Sequence, residues 1–124
     1  MSKNQIVVLV VDDDKISRML PSMLLRTYDV TVIECDNGAD ALKYMESNDV
    51  DYMLIDISMP SISGVDLLKR LSARSKSNET ILIAYTADVN FGDNDYFRML
   101  GFHYLLTKPI AADDLLKLMC IGVD

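Results

Sequence analysis

Five polar side chains that could together carry out phosphoryl chemistry stand at or just after the ends of short apolar runs. They are Asp12, Asp13, Asp56, Thr86 and Lys108. Neighbouring carboxylates repel one another unless a cation lies between them, and oxygen ligands of this kind suit Mg²⁺. Beside bound Mg²⁺, one carboxylate can attack phosphorus as a nucleophile. The Lys108 ammonium and the Thr86 hydroxyl could then contact the phosphoryl oxygens, provided that the fold brings these residues together.

Short runs of apolar and β-branched residues predict five β-strands, at residues 6–11, 30–35, 52–56, 80–85 and 103–107. Runs of this length bounded by turn residues are typical of strands buried within a sheet. An ionised Asp56 inside such a strand would be costly, so we expect it where the strand emerges. The carboxyl ends of parallel strands share one edge, where open α/β sheets bind ligands. Four of the five predicted strands deliver a reactive side chain to that edge.

Helical patterns alternate with these strands, at residues 15–27, 39–46, 65–73, 93–100 and 112–121. This alternation predicts an α/β fold with a single parallel sheet covered by helices on both faces. The crossovers should be right-handed. Among the doubly wound strand orders, five strands favour 2-1-3-4-5.

The first predicted helix has an apolar stripe at helical spacing, formed by Ile16, Met19, Leu20, Met23 and Leu24. Residues at this spacing predict a helix face that packs on the core. Pro21 lies inside the pattern and has no backbone N–H, so we expect it to kink or loosen the helix. Either Asp13 or Asp14 could cap its N-terminus.

The composition and charge of the chain limit the kinds of function that it could have. The 124 residues suit one domain, half of them are apolar, and the formal net charge of −7 argues against direct binding to nucleic acid. The apolar run after the polar N-terminus is too short for a signal peptide, and no apolar run is long enough to insert in a membrane. Cys35 and Cys120 lack metal-type spacing, so we interpret them as reduced core thiols of a cytoplasmic protein.

The chain resembles, over essentially its whole length, the receiver domain of two-component response regulators, in particular the chemotaxis-regulator-like members. Five pieces in order carry the resemblance: residues 10–14, residues 56–60, Gly64, Thr86 with Ala87, and Lys108 with Pro109. The resemblance implies one receiver domain over residues 1–124, with the flavodoxin-like fold predicted above.

The resemblance also implies a metal site. Asp12 and Asp13 would hold Mg²⁺, with Asp13 the more direct ligand, and Asp56 would share the ion. Ser58 would contribute its backbone carbonyl.

A phosphoryl switch is implied as well. Asp56 would accept the phosphoryl group from a phosphohistidine of a sensor histidine kinase or phosphotransfer protein. Thr86 would be the switch hydroxyl, and Lys108, in a cis peptide with Pro109, the phosphate-binding cation. Ser58 and Asp88 would tune how fast the phosphoryl group is lost.

Two positions depart from the family pattern. Leu105 stands three residues before Lys108, where the family usually has an aromatic residue, and Tyr104 is one place earlier. Ser63 replaces a common Asp in the loop before Gly64. The first departure puts the usual aromatic switch in doubt, whereas the second is interpreted as a neutral cap substitution.

Several interpretations stay open at this point. The leading one is a switch that catalyses its own phosphorylation and dephosphorylation and is not a conventional turnover enzyme. It would signal to a downstream protein target or effector domain. A second is a degenerate receiver that binds a partner constitutively. A third is an aspartyl-phosphate phosphatase resembling the haloacid dehalogenases, although Ser58 stands where that family needs a second Asp. Individually, Asp12 and Asp13 could be helix caps, Thr86 a turn residue and Lys108 an exposed lysine.

Overall fold

The sheet has the predicted architecture. The computed structural model describes residues 6–57, 66–67, 69–70, 80–87 and 98–119. Five parallel strands, β1 (Ile6–Val11), β2 (Val30–Cys35), β3 (Tyr52–Asp56), β4 (Ile81–Thr86) and β5 (Tyr104–Thr107), form one sheet in the order β2-β1-β3-β4-β5. The doubly wound order inferred from the alternating pattern is therefore confirmed.

Three helices are described in full: α1 (Lys15–Leu25), α2 (Gly38–Ser47) and α3 (Ala112–Met119). Residues 66–67, 69–70 and 98–100 are helical and fall within the third and fourth predicted helices, whose remaining parts lie outside the described residues. So does the loop that contains Pro60 and Gly64. None of the helices in the described part of the chain is long and apolar enough to cross a membrane.

Apolar side chains cover both faces of the sheet because alternate residues of a strand point to opposite sides. One face buries Leu9, Val11, Met53, Ile55 and Ala84 against Ala41 and Met45 of α2. The other buries Val8, Val10, Leu54, Ile83 and Tyr85 against Leu25 of α1 and Leu115 and Met119 of α3. Each fully buried aliphatic side chain contributes roughly 1.5–3 kcal/mol. The sheet interior is therefore apolar on both sides, which leaves its edge for polar groups.

The outward face of α1 differs from the prediction. Ile16, Met19 and Met23 are 66%, 36% and 54% exposed, whereas Pro21 and Leu25 are buried. The prediction that these three residues face the core was wrong. The helix is rotated so that the Pro21 ring, which needs no hydrogen-bond partner for its nitrogen, packs inward. The helix also continues through Pro21 to Leu25.

Side-chain caps fix where two helices begin. The Asp14 carboxylate accepts a hydrogen bond from the Ser17 N–H at 2.9 Å, and the Asn37 side-chain carbonyl accepts one from the Asp40 N–H at 2.7 Å. These bonds satisfy N–H groups that have no partner within the helix. They select Asp14, and not Asp13, as the cap of α1 and leave Asp13 free for the adjoining edge of the sheet.

The fifth strand begins one residue later than predicted, because the His103 side chain takes the place of a backbone hydrogen-bond partner. The predicted fifth strand began at His103, but β5 begins at Tyr104. The His103 N–H donates to the Leu82 carbonyl at 2.8 Å, while the Leu82 N–H donates to His103 Nδ1 at 2.9 Å. The imidazole therefore extends the pairing of β4 with β5 by one residue.

Candidate functional site

Three carboxylates converge at the carboxyl edge of the sheet. Val11 is paired with Ile55 across β1 and β3, so the residues that follow them, Asp12 and Asp56, leave neighbouring strands side by side. One carboxylate oxygen from each of Asp12, Asp13 and Asp56 lies within 4.8 Å of the others. Asp12 and Asp56 are buried, at 0% and 5% exposure, whereas Asp13 is exposed. The group therefore reaches from the protein interior to solvent.

Lys108 enters the same site from the end of β5. Its Nζ lies 2.8 Å from Asp12 Oδ2 and 3.7 Å from Asp56 Oδ2, and its side chain is only 16% exposed. The peptide bond to Pro109 is cis, as the family resemblance implied. These contacts show that Lys108 is not a solvated surface lysine.

Thr86 is the last residue of β4 and is buried at the same edge. Its carbonyl oxygen accepts a hydrogen bond from the Lys108 N–H at 2.8 Å. This bond ties the loop that carries the ammonium to the strand end that carries the hydroxyl. A displacement of either residue therefore acts on the other.

The two oxygens of Asp12 have different surroundings. Oδ1 accepts a hydrogen bond from the Asp14 N–H at 2.9 Å. Oδ2 is buried and has no hydrogen-bond partner among the described residues, so its 2.8 Å contact with Lys108 is an ion pair without hydrogen-bond geometry. A buried carboxylate oxygen with a spare lone pair is well suited to ligate a cation.

The chemistry of the donor set fits a small divalent ion. In their ionised forms, the three carboxylates carry three negative charges and the Lys108 ammonium carries one positive charge, so these four groups together need two further positive charges for neutrality. Mg²⁺ supplies that charge, takes oxygen ligands only, and commonly binds one or two carboxylates while keeping several waters. Ser58, the remaining predicted metal ligand, lies outside the described residues, and so does Asp88. Their roles stay predictions.

Arg18 supports the loop that carries Asp12 and Asp13, and no sequence pattern predicted this role. Its Nη1 donates to the Asp12 carbonyl oxygen at 3.0 Å, and its Nε lies 3.4 Å from Glu34 Oε1. The other oxygen of Glu34 accepts a hydrogen bond from the Ser22 hydroxyl at 2.9 Å. No local sequence pattern signals this contact, because it joins α1, β2 and the loop after β1 in space.

Tyr85 is the second residue that was missed: it ends the fourth predicted strand, and no role was predicted for it. Its side chain is fully buried, and Lys108 Nζ lies 5.0 Å from the centre of its ring. Burial, and secondarily the negative charge of Asp12, raise the pKa of the phenol to about 12. The available signal was a tyrosine in an otherwise aliphatic strand, next to Thr86.

The raised pKa of Tyr85 predicts a specific loss of stability at alkaline pH. An unfolded tyrosine ionises near pH 10, so stability is fully present below that pH and is lost as pH rises through about 12. Two pKa units correspond to an upper limit of roughly 2.7 kcal/mol. Urea unfolding in EDTA at pH 9 and pH 11.5 should show a smaller pH effect in Tyr85→Phe than in the wild type. Equal effects in the two proteins would contradict the prediction.

Cys35 is a structural residue and has no part in the chemistry of this site. Cys35, the last residue of β2, is a buried free thiol, and burial raises its pKa. This fits the interpretation of Cys35 as a core thiol. Cys120 lies outside the described residues.

A doubly wound sheet with an acidic pocket and a lysine at its carboxyl edge defines a class of phosphoacceptor domains, and comparison with known proteins identifies the family. The family model described as "Response regulator receiver domain" matches residues 8–119. The chain therefore belongs to the response regulator receiver domains of two-component signalling. Receiver domains bind Mg²⁺ in their acidic pocket and receive phosphoryl groups from histidine kinases.

Two of the curated relatives are much longer proteins. Over 108 residues the chain is 36% identical to the transcription factor SKN7 of Saccharomyces cerevisiae, covering 87% of this chain and 17% of the relative. It is 29% identical over 117 residues to the CAI-1 autoinducer sensor kinase/phosphatase CqsS of Vibrio cholerae, covering 94% and 17%. The chain thus spans about a sixth of the length of these relatives.

Solved structures show the same fold. The chemotaxis protein CheY4 of Vibrio cholerae superposes with a TM-score of 0.84 at 24% identity, covering 94% of this chain and 97% of that one. The receiver domain of the sensor histidine kinase PA1611 from Pseudomonas aeruginosa superposes with a TM-score of 0.82 at 23% identity, covering 93% and 94%. That domain has a magnesium ion coordinated in its active site cleft.

Proposed function

We propose that this protein is a phosphorylation-controlled switch in which Asp56 accepts a phosphoryl group from a phosphohistidine of a sensor kinase or phosphotransfer protein. One observation carries the proposal: three carboxylates gather within 4.8 Å, and the Lys108 ammonium lies against the two buried ones. Separate caps and surface residues would not converge in this way. The group has both the nucleophile and the cation that phosphoryl transfer requires.

In the transfer step, a carboxylate oxygen of Asp56 attacks phosphorus in line with the donor. The P–N bond of the phosphohistidine breaks, and its electron pair stays on the imidazole nitrogen, which then takes up a proton. Lys108 is already 3.7 Å from Asp56 Oδ2, so it pairs with a phosphoryl oxygen after only a small movement. The phosphoryl group is lost by hydrolysis: water attacks phosphorus, and Asp56 leaves as a carboxylate.

Asp12, Asp13 and Asp56 would hold Mg²⁺, together with the backbone carbonyl of Ser58. Bound Mg²⁺ supplies charge that stabilises the equatorial phosphoryl oxygens during transfer. Arg18 keeps the Asp12 main chain in place from α1, so the ligand loop is preorganised before the ion arrives. The exposed Asp13 is the carboxylate that an entering ion meets first.

The added phosphoryl group carries about −1.5 to −2 charge at neutral pH. It draws the Lys108 ammonium away from Asp12 and offers an acceptor to the Thr86 hydroxyl. Because the Lys108 N–H is bonded to the Thr86 carbonyl, the ends of β4 and β5 move together. Leu105 and the 47% exposed Tyr104 belong to β5, and this supports the proposal that the surface that changes lies near these residues.

The same proposal covers the extent of the domain, its location in the cell and its output. Residues 1–124 form one receiver domain in the cytoplasm, and its output is a changed contact with a downstream protein. Direct binding to nucleic acid is disfavoured by the net charge of −7.

Intact-protein mass spectrometry tests this function. Incubation with acetyl phosphate and Mg²⁺ should add one phosphate to the wild type and none to Asp56→Asn. Asp36→Asn is the matched control, because Asp36 is an exposed carboxylate that follows β2 outside the three-carboxylate group. It should be labelled like the wild type.

Other outcomes would replace the proposal. An unlabelled wild type that still binds a partner would indicate a degenerate receiver. Equal labelling of Asp56→Asn would place the acceptor elsewhere. Multiple turnover of a phosphomonoester such as p-nitrophenyl phosphate would indicate a phosphatase.

A further inference from the structure

Pro21 leaves one backbone acceptor of α1 available to the sheet. In an α-helix the carbonyl of residue 17 accepts from the N–H of residue 21, but proline has no N–H and its ring crowds that carbonyl. The helix nevertheless continues through Pro21 to Leu25, and Pro21 is buried. The Ser17 carbonyl therefore needs a donor from outside its own helix.

Tyr85 supplies that donor from β4. Its hydroxyl donates to the Ser17 carbonyl oxygen at 3.2 Å, across 68 positions of sequence. The tyrosine is fully buried and pairs in register with Asp56 on β3. One end of this side chain is thus fixed to α1, while its backbone lies beside the phosphoacceptor and next to Thr86.

The ring of Tyr85 contacts the ammonium group of Lys108. The ammonium lies 5.0 Å from the ring centre, within the range of a cation–π attraction, which is stronger where the cation is shielded from water. The other contacts of Lys108 Nζ within the described part of the chain are with Asp12 and Asp56, and both change when a cation binds these carboxylates or when Asp56 is phosphorylated. The contact with the uncharged ring is independent of those events.

We propose that Tyr85 is a positioning residue for phosphorylation: its ring holds the Lys108 ammonium at the acceptor, and its hydroxyl anchors the ring to α1 through the carbonyl that Pro21 leaves open. The proposal rests on the proposed function and extends it to a residue with no reactive role of its own. Tyr85 does not touch the phosphoryl group. It acts through Lys108.

Acetyl phosphate labelling rates in Mg²⁺ measure the effect. Tyr85→Leu removes ring and hydroxyl and should lower the rate about tenfold, the range of a partly desolvated cation–π contact. Tyr85→Phe keeps the ring but loses the hydroxyl that anchors it. This variant should lower the rate two- to threefold, roughly a few tenths of the activation free energy that the tenfold loss represents. Ile83→Val is the control, since Ile83 is buried in the same strand and on the same face, two residues before Tyr85. Its rate should match the wild type.

A double-mutant cycle separates positioning from a general effect on the core. In a Lys108→Met background, Tyr85→Leu should cause no further fall in rate, because the group through which it acts is gone. An equal fall in both backgrounds, or a Tyr85→Phe rate as low as that of Tyr85→Leu, would overturn the proposal.

A measurement on the wild type decides the matter if a variant fails to fold or Lys108→Met is not labelled. The ε-methylene protons of Lys108 should be shifted upfield by the ring current of Tyr85, with the resonance assigned by through-bond correlations in isotopically labelled wild-type protein. An unshifted resonance would refute the contact. Because this readout needs no phosphorylation, it is independent of the test with Asp56→Asn.

Discussion

Lys108→Met is expected to lower the free energy of unfolding of the metal-free protein by about 3 kcal/mol, the cost of removing one partner from a buried ion pair. Lys108 compensates Asp12, which is 0% exposed, from a distance of 2.8 Å. Without it, the buried carboxylates of Asp12 and Asp56 lose the ammonium that lies against both of them. Urea unfolding at neutral pH in EDTA measures the change.

Two comparisons make this result specific. Mg²⁺ should restore part of the lost stability, because it supplies positive charge to the same carboxylates. Lys117→Met, which removes an exposed lysine from the last turn of α3, should leave stability within about 0.5 kcal/mol of the wild type. Equal stability of Lys108→Met and Lys117→Met in EDTA would show that the ion pair is not needed for the fold.

Asp13→Asn should weaken Mg²⁺ binding at least tenfold, which corresponds to about 1.4 kcal/mol. The reason is that one of the three charged oxygen donors becomes a neutral amide, while the buried carboxylates of Asp12 and Asp56 remain. Thermal unfolding as a function of Mg²⁺ concentration measures the affinity. At a concentration 100 times the dissociation constant, the bound ion stabilises the wild type by about 2.7 kcal/mol. Labelling by acetyl phosphate should fall with the bound fraction and cease in EDTA.

Asp14→Asn is the matched control for this experiment. Asp14 is adjacent and exposed, but it caps α1 and lies outside the three-carboxylate group. Asparagine is an equally good N-cap, so this variant keeps the helix start and should keep the Mg²⁺ affinity. Labelling of the wild type that persists in excess EDTA, or equal losses in the two variants, would contradict a metal role for Asp13.

The sheet and its reactive edge were largely predictable because their signals are local. Continuous apolar runs such as residues 6–11 are typical of strands buried on both faces, and their alternation with helices leaves few strand orders. Once the order is known, the carboxyl ends of the parallel strands lie on one edge, and those of β1 and β3 are neighbours. Asp12, Asp56 and Lys108 could therefore be predicted as neighbours without coordinates.

The orientation of α1 was not predictable in the same way. An apolar stripe shows that a helix has an apolar face, but two overlapping stripes compete here. The one that contains Pro21 and Leu25 is buried, and the one that contains Ile16, Met19 and Met23 is exposed. The outcome depends on the angle at which the helix meets the sheet, which is set by contacts from distant elements.

The amino-acid sequence by itself thus determined the strands, their order and the residues at their ends, because apolar runs and strand-end carboxylates are encoded within a few neighbouring positions. Only the tertiary structure decided the contacts of Tyr85 with Ser17 and Lys108 and of Arg18 with the Asp12 main chain. These contacts join residues that no local periodicity relates. They exist because the packed helices and strands hold a donor and an acceptor, or a cation and a ring, at contact distance.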